Sequence, residues 1–144
     1  MLNIASVNHI GIRIRDKNVS VAFYQSLGFN YVSDAGFEAG HPIIMKHPCG
    51  VVINLLGPAD IRDGKNILMD VEKKHSGITH VALTVTSLDD AKVFLRTHDI
   101  PLTGSFSFNG MSAIFIRDPD RNVIELDAYD SINNGDTESY ANHP

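Results

Sequence analysis

Displaced by 71 residues, the sequence aligns with itself in two separate places. Asn8-His-Ile-Gly-Ile-Arg-Ile-Arg-Asp16 falls on Thr79-His-Val-Ala-Leu-Thr-Val-Thr-Ser87, and His47-Pro-Cys-Gly-Val-Val-Ile-Asn-Leu55 on Asp118-Pro-Asp-Arg-Asn-Val-Ile-Glu-Leu126. One match is within reach of chance, whereas two at a single offset argue for duplication. The halves run about 5–56 and 76–130, with a polar linker at 57–75. Together they make a single domain over 1–130, the size at which one hydrophobic core suffices. The segment 131–144 lacks apolar periodicity and is expected to be a flexible tail.

Each half reads in the same order. Ile10, Ile12 and Ile14 alternate with His9, Gly11, Arg13 and Arg15, the period of a half-buried strand. Asp16 then stands as a helix N-cap, with Val19, Ala22, Phe23 and Leu27 at helical spacing and Gly28 as the stop. In the second half Ser87 takes the cap position, and Leu88, Ala91, Phe94 and Leu95 form the apolar stripe. Three strands follow each helix, near 29–33, 42–46 and 51–56, and again near 102–106, 112–117 and 122–128. The predicted class is α+β: two β-α-β-β-β modules forming a curved eight-stranded mixed-sheet cup with the helices outside.

Alternation also assigns faces. With the isoleucines turned to the helix, His9 and Arg13 face the open side, as do His80 and Thr84 in the second half. Glu125 is on the open side between Ile124 and Leu126, and Asn54 holds the matching place in the first half. Singly, each has a plain structural reading: a strand histidine that is merely hydrogen-bonded, or a glutamate paired with Arg13 or Arg117. Jointly, two imidazoles and one carboxylate on one floor suit a divalent metal with open positions. Phe115 faces the same side and, with Phe106 and Phe108, lines an apolar wall for substrate or packs in the core.

The composition narrows the function. A net charge of −5 gives no footprint for nucleic acid. The apolar runs are too short to span a bilayer, and the first residues have no signal-peptide pattern. The single cysteine, Cys49, excludes an intrachain disulfide and fits a reducing, cytoplasmic setting.

Val7-Asn-His-Ile-Gly-Ile12 running into Ala22-Phe-Tyr-Gln-Ser-Leu-Gly-Phe29, with Ile78-Thr-His-Val-Ala-Leu83 and Arg117-Asp-Pro-Asp-Arg-Asn-Val-Ile-Glu-Leu126, resembles the vicinal-oxygen-chelate superfamily. That group includes glyoxalase I, methylmalonyl-CoA epimerase, extradiol dioxygenases and the bleomycin resistance proteins. The resemblance implies paired modules around a cup and one divalent metal ion (Ni, Zn, Mn, Co or Fe(II)) that binds adjacent oxygens of a small substrate. By position, His9, His80 and Glu125 resemble its metal ligands. Asn54 falls where glyoxalase I has a glutamate, the fourth ligand, and where the epimerase has a glutamine. Arg13 matches an arginine that contacts glutathione in glyoxalase I. The resemblance implies a lyase or isomerase of the glyoxalase type with Glu125 as the proton carrier. The alternatives are an Fe(II) dioxygenase of the extradiol type and a drug- or metabolite-binding protein without chemistry. A homodimer is the expected assembly.

Overall fold

A computed structural model describes residues 1–130, so the expected tail at 131–144 lies outside the described residues. The chain divides into two compact units. The first comprises residues 1–73 and the short segment 118–121; the second comprises 74–117 and the residues from 122 on.

In the first unit the order is β1 (Ile10–Arg13), α1 (Lys17–Ser26), β2 (Asn30–Asp34), β3 (Ile43–Lys46) and β4 (Val52–Leu56), with a short 3-10 helix at Phe37–Ala39. The second unit has β5 (His80–Thr84), α2 (Leu88–Thr97), β6 (Gly104–Phe108), β7 (Met111–Arg117) and β8 (Val123–Tyr129). Each sheet is mixed: β1-β4-β3-β2 in one, β5-β8-β7-β6 in the other, with the first and last strands of each module parallel. The protein is therefore a β-α-β-β-β module present twice, eight strands and two helices in all among the described residues.

The duplication is visible in the hydrogen-bond register. Ile10 pairs with Ile53 and Ile12 with Leu55; 71 residues on, Val81 pairs with Ile124 and Leu83 with Leu126. The helices also correspond end for end, Lys17–Ser26 with Leu88–Thr97. Their caps explain why. The Asp16 carboxylate accepts hydrogen bonds from the Asn18 and Val19 amides at 2.9 and 3.1 Å, and the Ser87 hydroxyl accepts from the Asp90 amide at 3.1 Å. Each cap satisfies N–H groups that the first helical turn leaves without a partner. Helix α1 ends at Gly28, whose φ of 99° is the left-handed conformation that a C-terminal stop requires.

One strand breaks the correspondence. The expected strand near 102–106 lies at Gly104–Phe108, because β6 and β7 are joined by the two-residue turn Asn109-Gly110. Both residues have positive φ, 47° and 75°, as a type I′ hairpin demands. In the first module the corresponding connection, residues 35–42, is longer and contains the 3-10 helix.

The cores follow the alternation. In the first unit Ile12, Ile14, Ile43, Met45, Ile53 and Leu55 are buried on one sheet face. In the second, Ile114, Ile116, Ile124 and Leu126 are buried with Leu95 of α2. The expected stripe of α1 needs correction. Val19 is 53% exposed and Ala22 is exposed, while Ser20 and Tyr24 are the buried positions. The reason is polar: the Tyr24 hydroxyl donates to Asp118 at 2.7 Å and the Ser20 hydroxyl to Asp120 at 3.2 Å. These bonds let two polar side chains occupy the buried face at little cost.

Candidate functional site

The second unit brings two of the singled-out residues into contact. Strands β5 and β8 run parallel, with His80 opposite Val123 and Ala82 opposite Glu125. Across them His80 Nε2 lies 3.0 Å from Glu125 Oε2. Glu125 is buried, 7% exposed, and a carboxylate so placed needs a partner to offset its lost hydration. His80 is that partner, in place of the Arg13 or Arg117 that the sequence also offered. The other imidazole nitrogen, Nδ1, is 2.8 Å from the hydroxyl of Thr79. Phe115, directly opposite Glu125 in the β7–β8 ladder, sets its ring edge-on to the imidazole at 6.1 Å. Two residues beyond Glu125 on the same face, buried Asp127 accepts a hydrogen bond from the Thr84 hydroxyl at 2.6 Å.

The first unit presents the equivalent positions with different chemistry. His9, exposed, immediately precedes β1, and its Nδ1 donates to the Asn8 side-chain carbonyl at 2.7 Å. Asn54 is half-buried between Gly11 and Ile44 of the neighbouring strands, the register that Glu125 has between Ala82 and Phe115. Arg13 is exposed at the end of β1. Acidic partners in this unit go instead to Arg15, whose Nε lies 2.6 Å from Asp120 while its Nη2 donates to the Pro119 carbonyl at 2.7 Å. Burial and the adjacent Asp118 carboxylate push the ionisation of Tyr24 far above the usual phenol range, so this pair keeps its proton on the tyrosine.

The donor chemistry fits a divalent ion. Two ligands at right angles on an ion with bonds of ~2.1 Å stand ~3.0 Å apart, the spacing of His80 Nε2 and Glu125 Oε2. Both histidines engage Nδ1 with the side chain of the preceding residue, Asn8 or Thr79. An imidazole so held presents Nε2 outward, as the outer contacts of metal-binding histidines do. Among the described residues, neither unit by itself gathers three or more His, Cys, Asp or Glu side chains into a metal-holding group.

Asn8, Thr79 and Asp127 were not among the residues that alternation and spacing singled out. The signal for the first two was a polar residue directly before each repeated histidine. For Asp127 it was strand alternation carried two residues past Glu125.

Comparison with known proteins agrees with this geometry. No curated protein matches the chain. No helix among the described residues is long and apolar enough to cross a membrane. Among solved structures, a glyoxalase family protein from Enterococcus faecalis is similar at a TM-score of 0.70 and 19% identity, over 85% of this chain and 96% of that one. A glyoxalase/dioxygenase from Nostoc punctiforme gives 0.70 and 20%, over 88% and 92%. A lactoylglutathione lyase from Agrobacterium tumefaciens gives 0.64 and 19%, over 87% and 94%. At these identities the likeness is one of fold. The sequence profile of one family spans residues 6–126, both modules together. A duplicated β-α-β-β-β module matched over that length makes this chain a member of the glyoxalase/bleomycin resistance protein/dioxygenase superfamily.

Proposed function

We propose that the protein is a divalent-metal-dependent lyase or isomerase of the glyoxalase type, acting on a small substrate with vicinal oxygens. The observation that carries this reading is the facing of His80 Nε2 and Glu125 Oε2 at 3.0 Å, with the far side of the imidazole already engaged by Thr79. His9, His80 and Glu125 would hold the ion, with the Asn54 carbonyl as a weaker fourth donor. When bound, a Zn, Ni, Mn, Co or Fe(II) ion supplies Lewis acidity toward a carbonyl oxygen.

The remaining work falls to the chain. Glu125 takes a proton from the carbon beside the carbonyl on its carboxylate oxygen and returns it to the adjacent carbon. His80 keeps that carboxylate oriented, and Thr79 keeps His80 oriented. Asn54 carries no base near neutral pH, so Glu125 alone does what two glutamates share in glyoxalase I. Arg13 binds an anionic part of the substrate, and Phe115 supplies an apolar wall. The protein works as a cytoplasmic homodimer, a setting that suits its single cysteine.

Asn54 favours one second reading. An amide in that position leaves two imidazoles and one carboxylate, the donor set of Fe(II) oxygenases, which supports an extradiol type of dioxygenase.

Wild type and Asn54→Glu are to be assayed on the hemithioacetal of glutathione and methylglyoxal, and on catechol. The lyase reading expects Asn54→Glu to raise hemithioacetal turnover about 10²–10⁴-fold, the worth of a general base. Catechol cleavage by wild type, abolished in the variant, would replace it with the oxygenase. Tight binding of intact substrate with no turnover by either protein would replace both with a binding protein.

A further inference from the structure

We infer that the substrate of this site carries a planar aromatic group, docked on the phenylalanines of β6 and β7; the inference rests on the reading of His80 and Glu125 as the pole that receives the oxygens. The second sheet sets these residues in a row. Its strand order, β5-β8-β7-β6, places His80, Glu125, Phe115 and Phe106 on four successive strands. Glu125 is directly opposite Phe115, and Phe115 directly opposite Gly104, with Phe106 the next position on that face of β6. Two strand spacings separate Glu125 from Gly104, roughly 9–10 Å. That length accommodates one aromatic ring together with a pair of attached oxygens.

The rings are arranged for stacking. Phe106 and Phe115 lie 24° from parallel with centroids 5.9 Å apart, an offset stack, and Phe115 in turn meets the His80 imidazole edge-on. Gly104 adds no side chain beside Phe115; a Cβ there would come within 3.5 Å of the ring. Phe106 is 36% exposed and Phe108, on the same face of β6, is 50% exposed, so a flat ligand has aromatic surface to cover. Strand β6, Gly104-Ser-Phe-Ser-Phe108, has no charge, whereas the carboxylate and imidazole sit two strands away. A ligand matched to this row is neutral and flat at one end and oxygen-bearing at the other.

The test uses three acids with the same hydroxyl–carboxylate pair: mandelate, its cyclohexyl counterpart hexahydromandelate, and lactate. Binding to the full-length chain is measured by titration calorimetry. Mandelate is expected to bind more tightly than either of the others. Phe106→Ala should weaken mandelate about two- to tenfold and leave lactate unchanged, and Phe106→Tyr should restore the preference. His80→Ala should weaken all three acids alike. Equal affinities for mandelate and hexahydromandelate, or a silent Phe106→Ala, would overturn the aromatic assignment while leaving the oxygen pole standing. A ring preference that survives alongside a silent His80→Ala would instead remove the oxygen pole and keep the aromatic one. Binding of none of the acids would overturn both. A change of sedimentation in Phe106→Ala without a change in mandelate affinity would make β6 a contact between copies of the chain, against the proposal.

Discussion

The two modules share a backbone plan and differ in what they put on it. Their helices begin and end 71 residues apart, and their parallel strands pair in the same register. Yet Glu125 in the second module replaces Asn54 in the first, Phe115 replaces Ile44, and Asp127 replaces Leu56. The apolar alternation that builds each sheet occupies one face only, so residues on the other face can diverge without disturbing the register. Chemistry has accumulated on that face of the second module. The first module diverged elsewhere: its helix is fastened by hydroxyls to Asp118 and Asp120, whereas α2 is fastened by Leu95.

That contrast can be broken from either side. Leu95→Ala removes the fully buried anchor of α2 and should cost about 2–5 kcal/mol in thermal or denaturant unfolding. Tyr24→Phe leaves the buried Asp118 carboxylate without its hydroxyl donor and should cost less, about 1–3 kcal/mol. Because the ionisation of Tyr24 is raised on folding, the stability it contributes is whole below about pH 10 and is lost as pH climbs above it. Unfolding midpoints from pH 8 to 11 should therefore fall less steeply in Tyr24→Phe than in wild type. An identical slope would remove Tyr24 from the alkaline transition.

A smaller effect sharpens the chemical half of the comparison. Thr79→Val takes away the oxygen that holds His80 Nδ1 and should weaken metal affinity about 10–100-fold without unfolding the protein. Titration with Zn or Ni, followed by calorimetry, reads this directly. The smallest effect belongs to the long connection of the first module. The Asp34 carboxylate accepts hydrogen bonds from the Gly36 and Phe37 amides at 2.8 Å each, and these bonds, with Lys17 nearby, hold its ionisation below the usual carboxylate value. Its contribution is present above about pH 4 and is lost as pH falls through the lowered value. Asp34→Asn should flatten the acid limb of the stability curve slightly and leave the neutral range unchanged.

Most of the architecture was legible because the signals were local. A capping Asp16 or Ser87, a run of alternating isoleucines and a shared offset need no knowledge of distant partners. Where the reading slipped, the cause was a competing local signal or a remote contact. The offset placed a strand near 102–106, but Asn109-Gly110 sets a tight turn that draws β6 two residues further along the chain. Tyr24 was passed over because a hydroxyl-bearing side chain does not count toward an apolar stripe, and its partner Asp118 is 94 residues away. Alternation put Glu125 and His80 on one face, but the choice of His80 over two arginines as the carboxylate's partner depends on side-chain reach.

The central claim is that the second module holds the stronger half of a metal site. It is tested most directly by elemental analysis of wild type, His80→Ala and Asn54→Ala, each purified without chelator. The account predicts about one divalent ion per chain in wild type, none retained in His80→Ala, and an ion still present but more weakly held in Asn54→Ala. Equal, low metal content in wild type and His80→Ala would contradict it, and His80 and Glu125 would then be a buried ion pair and nothing more.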